Sequence, residues 1–131
     1  MIREVAAVAV GGAIGTGLRF ALDLAFATQD GLFPVSTLIA NIAGSFALAL
    51  IVAELWRSSP AWARAGLGAG LLGSFTTFSA LAIAAVHLID ADQWLPALIY
   101  VAATLVLGLA AAAFGLYLGV NRARSRKPVN E

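Results

Sequence analysis

Residues 73–81 read Gly73-Ser74-Phe75-Thr76-Thr77-Phe78-Ser79-Ala80-Leu81, a glycine-led polar interruption inside an apolar stretch. Lipid offers no hydrogen-bond partners to backbone N–H and C=O groups. A spanning segment that leaves the helix must therefore pack against protein or line a wet cavity. The interruption is expected to break a transmembrane helix at the functional site.

The flanking sequence carries that reading outward. Of 131 residues, 61% are hydrophobic and 11% charged, against roughly 25% charged in soluble domains. Four apolar segments reach the length of about 20 residues that a helix needs to cross roughly 30 Å of hydrocarbon. They are 4–27, 35–56, 61–89 with a break near 73–78, and 94–120, followed by a basic tail at 121–131. The expected fold is all-α, a polytopic membrane protein with four transmembrane helices in a single membrane domain. Cysteine is absent, which excludes disulfides and thiolate metal sites. Ala25-Phe26-Ala27 has the small-residue pattern of a signal-peptide cleavage site. The segment before it is too long, glycine-rich and interrupted by Arg19, so it is expected to remain in the mature chain.

In the first segment, Gly11 to Gly17 places small residues where helix backbones can approach closely. Arg19 is a charge within this apolar span, tolerable if it snorkels to an interface or faces the bundle interior, where it would draw anions toward a vestibule. Gln29-Asp30-Gly31 and Pro34 end the segment in a loop. Asn41 in the second segment reads either as interhelical glue or as a donor facing a pore. The run from Gly66 to Gly73 is weak helix by propensity and suited to close packing in lipid. In the fourth segment, Tyr100, Thr104 and Gly108 recur at i, i+4 and i+8 as a narrow polar stripe. A hydroxyl bonded back to its own helix is the plainer reading of Thr104. Trp56, Trp62, Trp94 and Tyr117 read as an aromatic belt, and His87 as interfacial.

Arg3, Arg57, Arg64, Arg122, Arg124, Arg126 and Lys127 all fall on one side of four crossings, and Asp30, Asp90 and Asp92 on the other. The positive-inside rule places both termini in the cytoplasm, in a cell inner (plasma) membrane. Four thin helices enclose little conduit, so an assembly is expected.

The span interiors carry no carboxylate away from their ends, no paired acid and base, no metal-ligand cluster and no phosphate-cradling loop. Neither an enzyme nor a nucleic-acid partner is expected. The polar set consists of donors without opposing acids: Asn41, Thr76, Thr77, Ser79, Tyr100, Thr104, and Arg19 near one end. Such donors suit an anion, and the positive ring edge of Phe75 or Phe78 extends the set. Carbonyls freed between Gly73 and Thr77 have the opposite sign and suit a cation.

Three stretches, Gly11-Gly12-Ala13-Ile14-Gly15-Thr16-Gly17-Leu18-Arg19-Phe20, Thr37-Leu38-Ile39-Ala40-Asn41-Ile42-Ala43-Gly44-Ser45-Phe46 and Gly70-Leu71-Leu72-Gly73-Ser74-Phe75-Thr76-Thr77-Phe78-Ser79, together resemble the signatures of the fluoride channel family called Fluc or CrcB. The resemblance implies a passive fluoride-selective channel that lets accumulated fluoride leave the cytoplasm, built as an antiparallel dimer. It implies a structural sodium ion, not transported, held by the backbone carbonyls of Gly73 and Thr76. It also implies a pathway through Asn41, Phe78, Ser79, Tyr100 and Thr104, with Arg19 at the end of the first helix. The family pattern has a second Phe three residues after the first, where this chain has Leu81. The dimer partner is expected to be either an identical copy or a separate, oppositely inserted homologue, and the one-sided basic charge, which favours a fixed orientation, favours the homologue. Two other classes compete: a small four-helix drug or cation exporter, which would need a carboxylate where Gly11 to Gly17 stand, and a non-conducting membrane assembly subunit.

Overall fold

A computed structural model describes residues 1–26, 33–56 and 58–125. Regular structure among them is helical throughout: α1 (Ile2–Phe26), α2 (Val35–Glu54), α3 (Ala61–Ala65), a π-helical segment (Gly66–Leu72), α4 (Gly73–Phe75), α5 (Phe78–Asp90) and α6 (Trp94–Ser125). Four stretches are long and apolar enough to cross a membrane: Ile2–Phe26, Val35–Glu54, Ala61–Asp90 and Trp94–Ser125. The third contains the expected break, confined to Thr76 and Thr77. The fourth runs past 120, so Arg122 and Arg124 of the basic tail continue the helix. The expected loop at Gln29-Asp30-Gly31, and the basic residues Arg57, Arg126 and Lys127, lie outside the described residues.

Glycines bring α1 against the third span. Gly11 and Gly15 are buried, and a Cβ on either would run into a main-chain carbonyl, that of Gly66 or of Leu71. Backbone contact at this i, i+4 spacing is the small-residue packing that membranes favour in place of a hydrophobic drive. The facing run Gly66–Leu72 is a full π-helix where the sequence suggested weak α-helix. Its glycines at 66, 68 and 70 hold the α form weakly, and wider turns let this backbone follow α1.

On the other side of the bundle, α2 packs along α6 while α5 folds back onto α6. The α5–α6 turn contains Asp92 at φ 58, which lets the Gln93 N–H reach the Leu88 carbonyl at 2.8 Å. Beneath it Leu81, Leu88, Ala97 and Tyr100 form a buried cluster, with the Phe33 ring edge-on to Tyr100 at 5.0 Å. At the opposite end Arg122 meets Glu54 at 3.8 Å, and the Arg64 guanidinium lies 5.9 Å from the Trp56 ring centroid. The described cations outside α1 thus gather where α2 and α6 end and the third span begins, and Asp90 and Asp92 occupy the other end.

Gly15→Ala forces the backbones of α1 and the third span apart, an overpacking penalty of about 1–3 kcal/mol. Gly17, with nothing within 4 Å of an added Cβ, is the control. Thermal unfolding in detergent is expected to show a lowered midpoint for Gly15→Ala and none for Gly17→Ala.

Candidate functional site

After α4 the backbone swings into extended conformation at Thr76 (φ −84, ψ 153) and Thr77 (φ −152, ψ 128). Thr76 closes the upstream helix: its N–H and its hydroxyl both donate to the Leu72 carbonyl, at 3.0 and 2.9 Å. Thr77 opens the downstream one as an N-cap, its hydroxyl accepting the Ala80 N–H at 3.2 Å. Asn41 of α2 satisfies the peptide groups of Thr77 itself. Its Nδ2 donates to the Thr77 carbonyl at 3.0 Å, and its Oδ1 accepts the Thr77 N–H at 2.9 Å. Gly44, one turn along α2, makes room for the break, because a Cβ there would run into the Thr76 methyl group.

These bonds redirect two donors. In an unbroken α-helix the Thr77 N–H would bond the Gly73 carbonyl and the Ala80 N–H the Thr76 carbonyl. The first goes instead to Asn41 and the second to the Thr77 hydroxyl. The break thereby releases from their helical donors the same two carbonyls, Gly73 and Thr76, that the family resemblance assigns to a cation.

Beside the break lies a cavity of about 470 Å³, lined by Asn41, Ser45, Gly73, Thr76, Thr77 and Phe78 together with Gly44, Leu48, Gly68 and Leu72. No acid or base lines it. Among the described residues no group of three His, Cys, Asp or Glu side chains could hold a metal ion. Phe78 stands at the rim with 78% of its surface exposed. Ser79 is exposed next to it, its hydroxyl 3.0 Å from that of Thr77. One hydroxyl of this pair donates to the other, which leaves one O–H between them for a ligand. Asn41 likewise keeps one of its two amide hydrogens after bonding Thr77.

Residues 6–116 match the family model described as CrcB-like protein, Camphor Resistance (CrcB). The chain belongs to this family. It is 41% identical over 124 residues to the fluoride-specific ion channel FluC of Roseiflexus sp., covering 92% of this chain and 97% of the relative. It is 41% identical over 127 residues to fluoride-specific ion channel FluC 2 of Halalkalibacterium halodurans, covering 96% and 92%. Fluoride-specific ion channel FluC 3 of Streptomyces avermitilis is 41% identical over 117 residues, 87% of this chain but 57% of that longer relative.

In this CrcB-family chain the remaining expected residues stand apart from the cavity. Arg19 reaches toward α2: its Nε lies 3.3 Å from both Asp23 carboxylate oxygens, and its Nη2 donates to the Thr37 hydroxyl at 2.7 Å. Thr104 is buried and its hydroxyl donates back to the Tyr100 carbonyl at 2.8 Å, the plainer of its two readings. Tyr100 is fully buried. Leu81, at the position of the doubtful second aromatic, is 4% exposed in the cluster with Tyr100 and faces away from the cavity. Three participants were not singled out from the sequence. Asp23 stands at i+4 from Arg19, a spacing that marks helical ion pairs, and Thr37 opened the quoted second motif with no role of its own. Ser45 lay inside the quoted second motif without a role.

The Arg19 side chain is 14% exposed and that of Asp23 46%. Removing only the acid leaves a largely buried guanidinium without its counter-charge, whereas removing both does not. Asp23→Ala is expected to lower the unfolding midpoint more than the double variant Arg19→Met/Asp23→Ala, a comparison made by thermal denaturation in one detergent.

Proposed function

We propose that this chain is a subunit of a fluoride-selective channel that passes fluoride passively out of the cytoplasm. The observation that carries the reading is the cavity at the broken span, lined by hydrogen-bond donors with no carboxylate among them, in a chain whose relatives are named fluoride-specific ion channels. Fluoride is small and holds its hydration shell tightly, so a selective passage must replace water with closely spaced donors. The spare Asn41 amide hydrogen, the shared Thr77/Ser79 hydroxyl hydrogen and the Phe78 ring edge are such donors, and none is a fixed cation that would trap the ion. The part-buried guanidinium of Arg19 has Asp23 beside it, which limits its pull on the anion.

The exposed Phe78 and Ser79 leave the cavity open on one side of the subunit, so a second subunit is needed to wall it. An inverted copy or homologue docked on this face would bring its own Gly73 and Thr76 carbonyls to the same axis. The released pair in this chain fits a sodium ion, which hard oxygen donors hold and which would fix the two subunits together without being transported. Arg3, Arg64, Arg122 and Arg124 favour cytoplasmic termini in a plasma membrane, and this fixed bias favours an oppositely inserted homologue as the partner.

Liposomes loaded with potassium fluoride, with efflux followed by a fluoride electrode after valinomycin addition, test the reading. Efflux is expected from vesicles holding this chain with its oppositely charged homologue, without a proton gradient and without comparable chloride loss. Efflux from vesicles holding this chain alone would contradict the homologue as partner while upholding the channel. No fluoride efflux in either preparation would contradict the function.

A further inference from the structure

The stripe Tyr100, Thr104, Gly108 on α6 ends in a residue with no side chain. Two other glycines of α6 are imposed by packing: a Cβ on Gly115 would lie 2.5 Å from the Phe46 carbonyl oxygen, and one on Gly119 2.6 Å from the Ala53 Cβ. Gly108 is different. The nearest atom to a Cβ there is the Ser45 Oγ at 3.7 Å, an ordinary contact. Packing therefore leaves room for a larger residue at 108, and the space is already met by a hydroxyl from the neighbouring helix.

Ser45 also lines the cavity at the break, one helical turn from Asn41. Its hydroxyl is not used up as that of Thr104 is: among the described residues it makes no hydrogen bond, whereas the Thr104 hydroxyl is returned to its own helix. A side chain that touches both the cavity and the α6 stripe joins two groups of polar residues that otherwise stand apart.

We infer that Ser45 is a pathway residue for the anion. It supplies from α2 the hydroxyl that α6 lacks at Gly108, and so links the donors around Asn41 and Thr77 to the Thr104–Tyr100 face. The inference rests on the fluoride-channel reading. Gly108 is then the space this cross-helix hydroxyl occupies, and the two positions are interchangeable as a pair: a hydroxyl is required at one of them, on either helix.

The test is fluoride efflux from liposomes for wild type, Ser45→Ala, Gly108→Ser and Ser45→Ala/Gly108→Ser, each with the homologue and each checked for monodisperse elution. Loss of a hydrogen bond to a charged species is expected to slow Ser45→Ala about tenfold or more, and the double variant, with its hydroxyl moved to α6, is expected to recover most of the rate. Unchanged efflux from Ser45→Ala overturns the inference and leaves the channel function standing. A double variant as slow as Ser45→Ala, although it elutes like wild type, overturns it too, because a packing role for Ser45 on α2 would not be rescued from α6. If Ser45→Ala fails to elute as wild type and Gly108→Ser restores its elution, the hydroxyl serves the α2–α6 contact and the inference is overturned. Absence of efflux from wild type overturns both the inference and the function.

Discussion

The pair of hydrogen bonds between the Asn41 amide and the two peptide groups of Thr77 is the constraint on which the rest of the structure depends. A break in mid-bilayer exposes N–H and C=O groups that lipid cannot satisfy, at about 1–3 kcal/mol for each one left buried without a partner. Carboxamides are the uncharged side chains that offer a donor and an acceptor together in the geometry of a peptide. An aspartate at this position would accept the Thr77 N–H but oppose the carbonyl with negative charge, and an aliphatic residue would leave both groups stranded.

With Thr77 held in this way, its neighbours follow. Gly44 must lack a side chain, because the Thr76 methyl group takes that space. The Thr77 hydroxyl is free to cap α5, and the carbonyls of Gly73 and Thr76 lose their helical donors together. Upstream, Gly11 and Gly15 hold the π-helical run against α1, fixing where the break falls along the third span. One polar side chain on α2 and a few absent ones thus make a wall that bears donors and contains no acid.

Much of this was legible in the residues. The four spans follow from apolar runs of sufficient length, and the break from a polar Thr-Thr pair behind Gly73. The π-helix was not legible, because its wide turns answer to the α1 backbone facing them, which only docking supplies. Arg19 was visible as a misplaced charge. Its i+4 carboxylate, Asp23, lies near the end of the span, and Thr37 approaches Arg19 only across the α1–α2 interface. The polar stripe of α6 was legible from its i, i+4, i+8 spacing, yet the Thr104 hydroxyl turns back on its own helix. Ser45 was concealed by its neighbours: in a small-residue motif a serine looks like packing until its distance to Gly108 is known.

The most direct measurement of the central claim is amide hydrogen exchange, resolved at residues 73–81, in membrane-reconstituted wild type and Asn41→Ala. If the Asn41 clasp holds the break, the Thr77 amide is protected in the wild type and exchanges at least about tenfold faster in the variant, in line with the loss of one buried hydrogen bond. Equal protection of Thr77 in both proteins would contradict the account, since some other partner would then be holding the break.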